Sequence, residues 1–117
     1  MNFQKMIVWN KAKELTVMTY KVVRFLPREE LYSLSDQMRR AAISIISNIA
    51  EGSGRISDKD RRHFLSMARG STNELHSQLI VSVELEYLTQ EQVKPLVNLI
   101  DEVRCMLTAL INRENYT

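Results

Sequence analysis

The sequence is poor in the residues that break helices and in those that staple small folds. Its 117 residues include three glycines, two prolines and one cysteine. So few breakers leave room for only a handful of turns, which points to long helices. A single cysteine can neither close an internal disulfide nor share a metal with a second thiol. Cys105 stands among apolar residues at helical spacing and is expected to be a small core residue. Long apolar runs are missing too. The longest stretch free of charge, Ala41 to Ala50, is about half of a membrane span and is interrupted by Ser44, Ser47 and Asn48. The start, Met1-Asn2-Phe3-Gln4-Lys5, carries no apolar segment behind a basic one and no small-residue cleavage site. A cytoplasmic protein with no membrane partner is expected.

Apolar content is 44%, ordinary for a globule, and the length suits one domain, residues 1–117, with a core that needs no staple. The net charge of +2 hides an uneven distribution. Residues 37–72 hold seven cations against three carboxylates, whereas residues 73–117 hold three against seven. A basic middle and an acidic end suggest an anionic partner, or subunits that meet with opposite charge.

Spacing predicts four helices. The first runs from about Met6 to Leu26, with Val8, Ala12, Leu15, Val22 and Leu26 at three- and four-residue steps, and Pro27 stops it. The second begins near Ser33 or Ser35, where Ser33 and Asp36 have the shape of a capping box. Its stripe is Leu34, Met38, Ala41, Ala42, Ile45 and Ile49. Gly52-Ser53-Gly54 is expected to end it in a left-handed turn. Ser57 and Asp60 cap the third, which reaches about Tyr87 through Phe64, Leu65, Ala68, Ser71, Leu75, Leu79 and Val83. Gly70 inside that helix suggests close approach of a neighbour, and the small residues of the second helix are expected to pack against Gly70 and Ser71. Thr89 and Gln92 cap the fourth, whose seam is Val93, Leu96, Ile100, Val103, Leu107 and Leu110. Pro95, a turn inside, either removes one hydrogen bond or moves the start forward. Short connections make consecutive helices antiparallel, giving an all-α, up-down-up-down four-helix bundle.

The block Leu34-Ser35-Asp36-Gln37-Met38-Arg39-Arg40-Ala41-Ala42-Ile43-Ser44-Ile45-Ile46-Ser47-Asn48-Ile49-Ala50-Glu51-Gly52, followed by Arg55, is specific. It resembles the signature of the four-helix bundle proteins encoded in intervening sequences of bacterial large-subunit ribosomal RNA genes. Trp9-Asn10-Lys11-Ala12, Leu26-Pro27, Phe64-Leu65, Ala68-Arg69-Gly70-Ser71 and Glu74-Leu75 extend the likeness over nearly the whole chain. Ile46 departs from a common proline and Ser33 from a common glycine. The resemblance implies a homopentameric ring in members that assemble. It also implies kinship with the basic accessory rings of diversity-generating retroelements, which work with a reverse transcriptase and nucleic acid.

On a helical wheel Ile43 and Ile46 fall outside the core arc of the second helix, beside Arg39. An apolar patch there suits a subunit contact, although scattered surface isoleucines are common. Asn48, at the edge of the apolar face, could fix register through a buried hydrogen bond or be solvated. On the third helix Arg62, Arg69 and His76 recur every seven residues, with Arg55 and Lys59 just before. Arginine forks suit phosphate, so Arg55, Lys59, Arg62 and Arg69 are the candidate contacts to RNA or a nucleoprotein. A solvated charged face would have the same composition. Arg69 and His76 also resemble the spaced Arg–His pair of helical ribonucleases, a looser match.

Other chemistry lacks its signatures. Gly52-Ser53-Gly54 has no lysine pattern for a phosphate loop. His63 and His76 have no partners at metal-ligand spacing, and Trp9 reads as a core-edge anchor. Neither a cofactor nor a small-molecule substrate is indicated. The sequence therefore favours a non-enzymatic, ring-forming RNA-binding bundle over a structural protein–protein adaptor.

Overall fold

A computed structural model of the chain describes residues 2–114. Four helices follow one another, α1 (Ile7–Val22), α2 (Leu34–Ser53), α3 (Asp58–Glu84) and α4 (Gln90–Glu114). Each packs on two neighbours in the order α1, α2, α3, α4 and back to α1, and among the described residues no diagonal pair of helices is in backbone contact. The result is the expected up-down-up-down four-helix bundle, 46 Å long and about half as wide. Single 3₁₀ turns precede α1 (Phe3–Lys5), follow it (Val23–Phe25) and precede α2 (Arg28–Glu30).

The predicted stripes fill the core, except that Phe64 stands half-buried outside it. Leu15, Met38, Ile45, Ile49, Leu75, Leu79, Leu96, Ile100, Val103 and Leu107 are all fully buried. Each contributes about 1.5–3 kcal/mol relative to exposure. The buried hydroxyls of Thr19 and Ser82 donate to the carbonyls of Leu15 and Gln78, both at 2.8 Å, which offsets their desolvation. Ser44 on α2 meets Ser71 on α3 at 2.7 Å, as the small-residue packing requires. Asn48 stays within its own helix, donating to the Ser44 carbonyl at 2.8 Å, and so does not fix register between helices.

The caps divide into two kinds. Ser57 accepts from the Asp60 amide at 3.1 Å. Thr89 and Gln92 bond reciprocally through backbone and side chain, a complete capping box. Ser33, by contrast, caps nothing. Its hydroxyl donates to Glu30 at 2.5 Å, and Glu30 accepts the Leu34 amide in its place. Helix α4 does start at Gln90, so Pro95 lies within it on the exposed side and leaves one turn without its bond.

The glycines also depart from expectation. None has a positive φ, and α2 ends in a right-handed turn at Gly54 (φ −90°). Gly52 is buried, and a β-carbon there would stand 3.2 Å from the Phe64 β-carbon. Close approach therefore belongs to Gly52. Gly70 is exposed with nothing within 4 Å of such a carbon. The left-handed residue among those described is Glu86 (φ 64°). It closes α3 with bonds from the Glu86 amide to Val83 and from the Tyr87 amide to Ser82, both 2.9 Å, a Schellman arrangement three residues before the expected end. Cys105 is exposed rather than buried, because it lies about 200° around the helix from core residue Val103.

Candidate nucleic-acid interface

Antiparallel topology brings the start of α1, the end of α2, the start of α3 and the end of α4 to one end of the bundle. The α2–α3 turn forms its tip. Arg55 in that turn is exposed, 2.5 Å from the Glu51 carboxylate, with its guanidinium 4.7 Å above the Phe64 ring. Gly52 permits this, since Phe64 lies where a larger side chain would press. Lys59 is exposed on the first turn of α3, and Arg62, half-buried, follows one turn later.

Arg61 serves the turn itself. Its guanidinium donates to the carbonyls of Arg55 (2.9 Å) and Ile56 (2.7 Å) and pairs with Asp58. Beside it lies a cavity of about 260 Å³ lined by apolar Met6, Leu65 and Leu110, by Gly52 and Ser53, and by Arg55, Arg61 and Arg113. Sequence reasoning missed Arg61 and Arg113. The signal was available for Arg113, because an up-down-up-down chain must bring the end of its fourth helix to the α2–α3 turn.

Arg69 stands apart from this end. It lies two turns beyond Arg62, about 10 Å along the helix, in the seam with α4, where it donates to the Thr108 hydroxyl at 3.3 Å. His76 continues the same face two turns further and is half-buried. Arg104 of α4 joins the seam, bonded to Asn73 at 2.9 Å and to Asp101. Three of the four predicted contacts thus share the bundle end, and the fourth leads from it along the α3–α4 seam.

The residues expected at a subunit contact divide as well. Ile43 is 43% exposed, whereas Ile46 is half-buried and packs against the core, closer to it than the wheel suggested. Arg39 donates to the Leu31 carbonyl at 3.2 Å. Arg39 and Ile43 line a groove of about 410 Å³ with Tyr20 and Arg40 between α1 and α2. Trp9 is half-buried at the core edge, 4.9 Å from Phe3, as an anchor should be.

Away from the cationic end, ionisable groups are used to close the fold. Lys11 on α1 pairs with Glu102 on α4 at 2.6 Å, and that hydrogen bond raises the lysine pKa above its ordinary value. Hydrogen bonds from Ser33, then Tyr87, then the Leu34 amide hold the Glu30 carboxyl below its ordinary range. The shared bond to Glu30 raises the Tyr87 phenol. Among the described residues no three His, Cys, Asp or Glu side chains gather as a metal site would need. None of the described helices is long and apolar enough to cross a membrane.

Comparison with known proteins supplies the family. No curated protein matches the chain. A solved structure does, that of a protein with unknown function from the S23 ribosomal protein family of Bacteroides thetaiotaomicron VPI-5482. The two are 29% identical with a TM-score of 0.83, over 90% of this chain and 98% of that one. The sequence model of the 23S rRNA-intervening sequence proteins matches residues 4–109, which include the α2 block and every helix stripe except Leu110 at the end of the last. The chain belongs to the 23S rRNA-intervening sequence protein family.

Proposed function

We propose that the chain is a non-enzymatic, homo-oligomeric bundle that binds RNA or a nucleoprotein through Arg55, Lys59, Arg62 and Arg69. The observation that carries this reading is the gathering of cations from separate elements at one bundle end. Arg55, Lys59 and Arg62 come from the α2–α3 region, and Arg113 joins them from the end of α4. Guanidinium forks and an ammonium spaced in this way suit a phosphate backbone and read no sequence. Arg69 extends the track along the α3–α4 seam.

Self-assembly uses another face in this proposal. The groove of Tyr20, Arg39, Arg40 and Ile43, with Asp36 paired to Arg40 in its wall, keeps a net positive charge and is partly apolar. Toward the same end of the bundle, α3 and the residue after it expose Ile80, Val81 and Leu85 beside Glu84. The two surfaces complement each other in charge and polarity, with Ile46 backing Ile43 one turn on. Two unlike faces that meet form a heterologous contact, which closes into a ring when the rotation permits. The pentamer implied by the family resemblance is the ring we propose, and repetition of the cationic end in each subunit multiplies weak contacts.

The adaptor reading, with α4 engaging a basic partner, has less support, because Glu102 is engaged by Lys11 and Asp101 by Arg104. A ribonuclease built on Arg69 and His76 would need both groups at one phosphate, and Arg69 is turned to Thr108. The test is light-scattering mass in solution, alone and with structured RNA, at low and moderate salt. A ring mass that rises with RNA and falls back with salt is expected. A monomer indifferent to RNA would contradict both parts.

A further inference from the structure

We infer that the cationic end takes unpaired RNA rather than duplex, seating a base against Ile56 and on the outer face of the Arg55 guanidinium. The inference rests on the RNA-binding reading and deepens it. Three features of the end are superfluous for phosphate contacts alone.

The first is Ile56, which is 94% exposed at the tip of the α2–α3 turn. The tip is braced, since Arg61 donates to the Ile56 carbonyl at 2.7 Å. A branched apolar side chain is thereby held out in water among cations. Apolar residues held in this way serve as wedges against unstacked bases.

The second is the Arg55 guanidinium, which lies over the Phe64 ring at 4.7 Å while Glu51 holds it at 2.5 Å. One face rests on the phenyl group, and the side chain as a whole is 42% exposed. A base stacks on such a plane much as on an aromatic ring. The third is the neighbouring cavity of about 260 Å³, which Met6, Leu65 and Leu110 line together with Arg55, Arg61 and Arg113. That combination fits the flat face of a base whose phosphate remains at the rim.

A duplex keeps its bases inside and presents phosphates, so nothing on it would meet the isoleucine or enter the cavity. An unpaired strand offers both a base and a phosphate. A flat anionic bilayer suits the end less well, because a bilayer does not fill a concave cavity.

The test is fluorescence anisotropy of the full chain with a labelled single-stranded oligoribonucleotide of about 12 residues, and with the same sequence annealed as duplex, at one salt concentration. The single strand is expected to bind about tenfold tighter, and Ile56→Ser to weaken it about fivefold while leaving the duplex unchanged. Ile56 is exposed, so this variant should melt like the parent, which circular dichroism checks. Equal affinities together with a silent Ile56→Ser would overturn the inference and leave the phosphate-binding reading standing. No affinity for either form would remove both. Sedimentation with phosphatidylserine vesicles that is lost in Ile56→Ser, with RNA binding unmoved, would overturn it in favour of a membrane surface.

Discussion

The two ends of the bundle treat charge in opposite ways. Where the α1–α2 connection meets the α3–α4 connection, charge is turned to holding the fold. Glu30 gathers bonds from Ser33 (2.5 Å), Tyr87 (3.0 Å) and the Leu34 amide (3.4 Å), which tie one connection to the other. At the α2–α3 end Arg61 has that duty, while Arg55, paired with Glu51 yet 42% exposed, and Lys59 stand at the surface with an isoleucine between them. A count of charges along the chain does not separate these cases. What separates them is whether the backbone nearby has polar groups for a side chain to satisfy, because groups that close turns are not available to a partner.

Exchanging charges at the two ends should give the largest effect. Replacing Arg55, Lys59, Arg62 and Arg69 by glutamine is expected to weaken RNA binding about fiftyfold or more at low salt, the scale of several lost phosphate contacts. Replacing Arg24, Arg28 and Lys94 at the other end should change it less than about threefold. Anisotropy titrations at one salt check both, and comparable losses would erase the distinction between the ends.

Backbone substitutions should produce smaller changes of opposite sign. Gly52→Ala pushes against the Phe64 β-carbon, which is anchored to α3, so a loss of about 1–3 kcal/mol is expected. Gly70→Ala, with open space around it, should gain about 1 kcal/mol from helix propensity. Glu86→Gly should gain a similar amount, roughly 1 kcal/mol, by removing the left-handed strain of a side-chain-bearing residue. Urea denaturation measures all three.

The smallest effect concerns pH. The Glu30 pKa is lowered in the fold, so its contribution is present above its ordinary value of 4.5 and is lost as pH falls through the folded value. The Tyr87 pKa is raised, so its share is present below 10.0 and is lost as pH rises past the folded value. Tyr87→Phe should lower the melting temperature at neutral pH and reduce the further drop between pH 6 and pH 3. An undiminished acid drop would mean that Glu30 gains nothing from Tyr87.

The helices and core were legible because their apolar residues follow one period without interruption, from Val8 to Leu107. Caps that depend only on nearest neighbours, Ser57–Asp60 and Thr89–Gln92, were legible for the same reason. The failures involve longer reach. Glu30 displaced Ser33 as the cap of α2 because Tyr87, 57 residues away, helps to hold it. The roles of Gly52 and Gly70 were exchanged because only the packed helices show which one faces Phe64. The common placement of Arg55, Lys59 and Arg62 at one bundle end follows from their proximity in sequence. Arg113 was overlooked because it reaches that end through topology. Cys105 was a plain wheel error, its angle from Val103 being readable all along.

The most direct test of the central account is the salt dependence of RNA affinity for the unmodified chain between 50 and 200 mM monovalent salt. Four phosphate contacts at a slope of about 0.7 each predict roughly a fiftyfold loss over that range. Removing Arg55, Lys59, Arg62 and Arg69 should flatten the dependence. Affinity that barely changes with salt, or a slope that survives their removal, would contradict an electrostatic RNA surface at the α2–α3 end.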